Sequence, residues 1–125
     1  MFDNIAAHVF DRPVRRDHLA SYLAAPGHHL VVGLADGQIV GQCAAVIHNH
    51  PDKPTELFIS EVGTARDYRR CGIARAMCSA MIDWGRELGC AGIWVGTEPD
   101  NGPALQLYSS FGLHPQPVII FEDDL

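Results

Sequence analysis

Apolar and polar positions along the chain change period several times, and each change marks an element. Met1 to Pro13 shows no clear period and reads as an irregular or weakly helical lead-in. Leu19, Tyr22 and Leu23 then recur at helical spacing, and Pro26-Gly27 closes the run, which predicts a helix from Asp17 to Ala25. His29 to Ala35 and Gln38 to His48 are rich in β-formers and are separated only by Asp36-Gly37, a pair suited to a type I′ turn. An antiparallel hairpin follows. Beyond the polar loop around His48, His50 and Pro51, Glu56 to Thr64 is apolar on both faces through Leu57, Phe58, Ile59 and Val62, as a central strand would be; Gly63 is the expected bulge or splay point.

From Gly72 to Leu88 the period becomes helical again. Ile73, Met77, Ala80, Met81, Trp84 and Leu88 form the predicted apolar stripe, and Gly89 caps the end. Cys90 to Thr97 reads as a short buried strand around Ile93, Trp94 and Val95, and strand-helix-strand order implies a parallel, right-handed crossover. Asp100 or Asn101 is placed to cap a helix from Pro103 to Phe111, with Ala104, Leu107, Tyr108 and Phe111 turned inward. Val118 to Phe121 is the predicted last strand, before the acidic Glu122-Asp123-Asp124.

The 125 residues suffice for one domain with one core, spanning 1–125. No apolar run approaches the roughly 20 residues of a membrane span, and Met1 to Phe10 lacks the apolar core of a signal peptide, so neither a membrane nor secretion is expected and the location is read as cytoplasmic. A net charge of −6 argues against nucleic acid as the partner and favours a cationic one. Cys43, Cys71, Cys78 and Cys90 form no Cys-x-x-Cys pair and read as free thiols.

Chemistry concentrates where the central strand hands over to the long helix. In Arg69-Arg70-Cys71-Gly72-Ile73-Ala74, a glycine opens a helix whose first-turn amides are unpaired donors at the positive end of its dipole, with arginines beside it. That is an anion cradle. Neither Gly-x-x-x-x-Gly-Lys nor Gly-x-Gly-x-x-Gly occurs, which counts against nucleotide hydrolysis and dinucleotide binding. Glu61 is a carboxylate in an otherwise apolar strand, suited either to a raised pKa and base chemistry or to pairing with an arginine. Glu98 and Asp100 sit in an acidic turn after a strand. His48 and His50 are one residue apart with no further clustered ligand in the sequence, so no metal site is expected.

Three segments in this order carry a family resemblance: Arg69 to Ala74, with Arg-x-x-Gly-x-Ala spacing; Glu98-Pro99-Asp100-Asn101; and Ala104-Leu105-Gln106-Leu107-Tyr108-Ser109-Ser110-Phe111-Gly112-Leu113. Together they resemble the GCN5-related N-acetyltransferases over about residues 15 to 122. The finer pattern of Leu57 to Thr64 and Val118 to Asp123 resembles the class I aminoglycoside 3-N-acetyltransferases. The resemblance implies an α/β fold with a mixed, mostly antiparallel twisted sheet flanked by helices. It implies acetyl-CoA as donor, its pyrophosphate held by Arg69, Arg70, Cys71, Gly72, Ile73, Ala74 and Arg75, and its arm lying along Val62, Gly63 and Thr64, with Asn101 and Ala104 on the next crossover. Tyr108 takes the position of the general acid and Glu61 that of the base. Glu98 and Asp100 are implied on the acceptor side.

The acceptor is then a primary amine of a small molecule, aminoglycoside-like if polycationic. A protein N-terminus or lysine, and a domain that binds acyl-CoA without turnover, are the alternatives. The family's usual first strand and helix are not legible in the lead-in, so a homodimer supplying the missing strand is a further expectation.

Overall fold

The computed structural model describes residues 1–125. Its elements follow the predicted order: α1 (Arg16–Ala24), β1 (His28–Ala35), β2 (Gln38–His48), β3 (Glu56–Thr64), a 3-10 turn at Arg66–Tyr68, α2 (Ile73–Glu87), β4 (Gly92–Val95) and α3 (Gly102–Ser110). The strands form one sheet in the order β1-β2-β3-β4. β1, β2 and β3 are antiparallel, while β4 joins β3 in parallel after the α2 crossover. Asp36 and Gly37 both have positive φ, 50° and 76°, as the type I′ turn of the hairpin requires.

The main core lies between the sheet and α2. Leu57 and Ile59 of β3, with Cys43 and Ala45 of β2, meet Met77, Cys78 and Met81. What lets α2 come so close is a cross-strand glycine pair, Gly33 opposite Gly41. A Cβ on Gly33 would stand 2.9 Å from Ile73 Cγ2, and one on Gly41 would stand 2.9 Å from Met77 Cε. These contacts set the start of α2 against the sheet, which is the end that carries the anion cradle.

A second core cluster of Val9, Ile39, Val40 and Ala65 gathers Phe2, Ile5, Ala6 and Phe10 around it. The lead-in is irregular, as its sequence implies, but it is packed. A single parallel bridge joins Ile5 to Ile39.

The register of β3 carries a bulge. Ala44 opposes Glu61 and Ala45 opposes Ile59, which leaves Ser60 as the extra residue. Residues on one strand face alternate by two, so Leu57 and Ile59 would otherwise share their face with Glu61. Because of Ser60, Val62 follows them into the α2 core instead, and Glu61 turns to the opposite face with Phe58.

Several expectations are corrected here. The bulge is at Ser60 rather than Gly63, whose lack of a side chain serves a different contact described below. On α2 the buried positions include Cys78 and Gly85, while Ala80 and Leu88 are exposed. Leu88 falls at the C-cap, past the packed turns, and Gly85 is buried because α2 lies almost on Leu57, 3.0 Å from a Cβ built there. β4 is not a buried strand. It is the sheet's edge, and Trp94 is 41% exposed while stacking on Phe58 at 4.0 Å. Val118 to Phe121 forms no strand, and the segment stays exposed. Pro115 and Pro117 remove two ladder donors just ahead of it.

Candidate active site

Strand β4 pairs with β3 only from Glu56 to Ile59. Beyond Ile59, β3 runs on through Glu61, Val62, Gly63 and Thr64 with β2 on one side and no strand on the other. The two parallel strands therefore part at the Ser60 bulge, and the far edge of Val62 to Thr64 is open for an extended ligand to pair with.

The cradle lies just downstream. Gly72 is the N-cap of α2 at φ 81°, and Arg70 also has positive φ, 63°. Two left-handed residues so close to a helix start swing the chain sharply, at a cost that Arg70, unlike glycine, cannot avoid. The result is a concave stretch in which no backbone N–H from Cys71 to Arg75 donates within the chain, the first internal helical bond being Ala76 N–H to Gly72 O at 3.0 Å. A Cβ on Gly72 would meet nothing within 4 Å, so the mouth is open. Arg69 donates from Nε to Thr64 O at 3.4 Å, tying the loop to the end of β3. Arg75 turns the other way, its guanidinium 5.2 Å from the centre of the Phe111 ring.

Across the crossover, Asn101 caps α3 by accepting the Ala104 N–H on Oδ1 at 3.2 Å, so of the two candidate caps it is Asn101 that serves. The four predicted inward positions of α3 and its cap, Ala104, Leu107, Tyr108 and Phe111, are the half-buried ones. Tyr108 packs on the main core beside Cys43 and Cys78, and burial pushes its phenol up to about 12. Its hydroxyl makes no hydrogen bond within the chain.

Glu61 is half-buried on the other face, and its environment comes from the lead-in. Asp11 donates its backbone N–H to Glu61 Oε1 at 3.0 Å. No arginine pairs with it. Burial raises the Glu61 pKa, with the Asp11 N–H opposing and the Asp11 carboxylate adding to the rise. One step along, Gly63 receives the lead-in at very close range: a Cβ there would lie 1.9 Å from Val9 O. Gln42, fully buried opposite Gly63, donates from Nε2 to the same Val9 oxygen at 3.3 Å, while its own Oε1 has no partner.

Asp11, Val9 and Gln42 are thus site residues that the sequence reading missed. The one available signal was Gln42, a lone amide inside the apolar run Ile39 to Ile47. The lead-in itself curls round a cavity of about 410 Å³ lined by Phe2, Ile5, His8, Phe10, Asp11 and Arg12 among others. Glu98 and Asp100 lie on the exposed loop after β4, where neither side chain contacts another residue through a hydrogen bond or ion pair. His48 and His50 stand at the opposite end of β3 from Glu61, beside Glu56, and do not approach this site.

The acetyltransferase (GNAT) family model matches residues 3–113. The chain is 26% identical over 112 residues to the aminoglycoside N(6')-acetyltransferase type 1 of Salmonella typhimurium, covering 86% of this chain and 71% of the relative. Among solved structures, the aminoglycoside acetyltransferase meta-AAC0020 from an uncultured soil metagenomic sample, in complex with sisomicin, superposes with a TM-score of 0.81 at 20% identity, over 93% of this chain and 77% of that one. AAC(6')-Iy in complex with the bisubstrate analog CoA-S-monomethyl-acetylneamine superposes with a TM-score of 0.77 at 22% identity, over 94% and 84%. The Salmonella relative and AAC(6')-Iy are N(6') enzymes, where the motif resemblance pointed to the 3-N class.

Proposed function

This chain belongs to the acetyltransferase (GNAT) family, and from that premise we propose that it moves the acetyl group of acetyl-CoA to a primary amine of a small, polycationic, aminoglycoside-like acceptor. The observation that carries this reading is the continuity of two open backbone tracks, the unpaired edge of β3 at Val62 to Thr64 and the partnerless N–H groups from Cys71 to Arg75. One suits an extended amide-bearing arm and the other a pyrophosphate, so these residues fit the donor.

Acetyl-CoA supplies an acetyl thioester, with its arm along Val62, Gly63 and Thr64. Arg69, Arg70, Gly72, Ile73, Ala74 and the helix dipole neutralise phosphate charge, while Asn101 keeps its amide N–H groups free for the donor because only Oδ1 is used in capping. A free backbone N–H at Val62 polarises the acetyl carbonyl. Glu61 takes the proton from the attacking amine, directly or through water, its raised pKa making it a stronger base than an ordinary glutamate. Tyr108 gives a proton to the departing sulfur. Its phenol, near 12, is fully protonated at neutral pH and is a donor by default. Glu98 and Asp100 add negative charge that attracts a polycation.

We read residues 1–125 as one acetyltransferase domain. Four free thiols favour a reducing, cytoplasmic setting. A homodimer is supported by Val118 to Phe121, 67 to 91% exposed, and by the unpaired edge of β4, to which such a segment of a second copy would add. Sedimentation tests it: the protein should run as a dimer that Ile119→Asp dissociates, and a monomer at 100 µM, an assay concentration of about the usual order for weak association, would overturn it.

Calorimetry with acetyl-CoA, followed by acetyl-dependent thiol release with sisomicin, neamine, a polyamine and a lysine peptide, tests the function. Binding, with turnover on the aminoglycosides, is expected. Turnover on the peptide alone would reassign the acceptor, binding without turnover would leave an acyl-CoA-binding domain, and no binding would overturn the reading.

A further inference from the structure

We propose that His48, His50 and Glu56 form a binding site for one divalent transition-metal ion, of zinc or cobalt type, at the end of the sheet remote from the acetyl site. In the sequence only the two histidines lie close together. The fold supplies the third group. Antiparallel register sets His48 directly opposite Glu56, so their side chains share a face, and the loop between β2 and β3 brings His50 back over the pair.

The ligating atoms of all three side chains lie within 4.8 Å of one another. His50 Nε2 is 2.5 Å from Glu56 Oε1, and the His48 and His50 rings stand 4.1 Å apart at a 37° tilt. His50 and Glu56 are only 14% and 31% exposed at their side chains, and His48 is the exposed member that closes the cluster from the solvent side.

Glu56 is also held from its other side. It pairs in register with Gly92 of β4, and a Cβ at that glycine would stand 3.2 Å from Glu56 Cγ and 3.4 Å from Oε2. The row His48, Glu56, Gly92 crosses three strands, and the absent side chain at Gly92 leaves the carboxylate its seat. Thr55 and Asn49 close the loop with a 3.4 Å side-chain hydrogen bond.

Two imidazoles and one carboxylate are a donor set for borderline cations rather than for calcium or magnesium, which take mainly oxygen. Ligand atoms around a tetrahedral ion with bonds of about 2.0 to 2.1 Å lie roughly 3.3 Å apart. The ion therefore sits between His50 and Glu56, whose ligand atoms move apart by roughly 0.8 Å to admit it. Three protein ligands leave at least one position for water. From Glu56 to Glu61 is roughly 17 Å of strand at about 3.4 Å per residue, so the ion fastens the β2-β3 loop and takes no part in acetyl transfer.

The test uses the untagged protein. Titration with Co2+ followed by visible absorption, and with Zn2+ followed by calorimetry and thermal melting, should give one ion per chain and a raised melting temperature. His50→Ala and Glu56→Gln should each weaken binding at least about tenfold and abolish the thermal shift. His114→Ala, an exposed histidine outside the cluster, should change neither. Absence of saturable binding below about 100 µM, equal affinity in His50→Ala and Glu56→Gln, or a sulfur-to-cobalt charge-transfer band marking a cysteine site would each overturn the assignment.

Discussion

The backbone N–H of Asp11 donates to Glu61 Oε1 across 50 residues of sequence, at 3.0 Å. The irregular lead-in and the central strand are therefore joined at the carboxylate assigned as base. The segment that covers this face also tunes its proton affinity, since the Asp11 N–H favours the ionised form while burial and the Asp11 carboxylate disfavour it. The net shift is upward.

Glu61→Gln should lower kcat/KM by about 10² to 10⁴, the range for loss of a general base. In the wild type, kcat/KM should rise with pH through a value above that of an ordinary glutamate, and this limb should vanish in the variant. Stability runs in the opposite sense. A carboxyl whose folded pKa is raised favours folding below its unfolded value, and that contribution is lost as pH rises through the folded one. Glu61→Gln should thus melt at pH 7 no lower than the wild type. A parallel loss of activity and melting temperature would show that Glu61 is structural.

Tyr108→Phe should slow turnover by about 10² with acetyl-CoA affinity unchanged. Because the hydroxyl makes no internal hydrogen bond, the melting temperature should barely move. With the phenol at about 12, no alkaline loss of activity from this group should appear up to roughly pH 10. Thiol release and thermal melting measured together check both; full activity in the variant would remove Tyr108 from the reaction.

Much of this site was legible before the fold. The helix-opening glycine, the lone carboxylate of Glu61 in an apolar strand, a cap at Asp100 or Asn101 and the four inward positions of α3 each leave a local signature, since caps and periodicity act within a few residues. Asp11, Val9 and Gln42 left almost none, because their contacts depend on an aperiodic segment folding back onto β3. The Ser60 bulge was equally hidden: an extra residue in a strand looks like any other until its partner strand is in place. Val118 to Phe121 failed for a related reason, since β-propensity marks a segment able to pair without marking what it pairs with.

Gly63→Ala should cost about 2 kcal/mol or more, as overpacking against fixed backbone does. The added Cβ would lie 1.9 Å from Val9 O, and backbone cannot give way as a flexible side chain does. The lead-in should be displaced, which limited proteolysis would detect as early cleavage within residues 1–14, alongside the fall in stability on urea denaturation. An unchanged cleavage pattern would contradict the packing of the lead-in.

Gly72→Ala should weaken acetyl-CoA binding, because a left-handed alanine costs roughly 1 to 2 kcal/mol and the cradle would relax. Gly72→Asn should be milder, since asparagine tolerates that conformation. Replacing Arg69 and Arg70 by alanine should reduce affinity roughly tenfold, with less dependence on salt. Calorimetry at two ionic strengths reads all three, and unchanged affinity in the arginine variant would place the pyrophosphate elsewhere.

The extra residue at Ser60 makes β3 two strands in one reading frame. Upstream, odd positions belong to the α2 core; downstream, even ones do. Substitution can revise either half alone, since the inward positions of the two halves do not overlap. Removing Ser60 itself would leave both inventories in place, because Ile59 and Glu61 already oppose the consecutive residues Ala45 and Ala44. Drawing Ser60 into regular pairing, with no residue lost, is the change that would turn Glu61 toward Met77, so the proton chemistry depends on one residue staying out of the ladder.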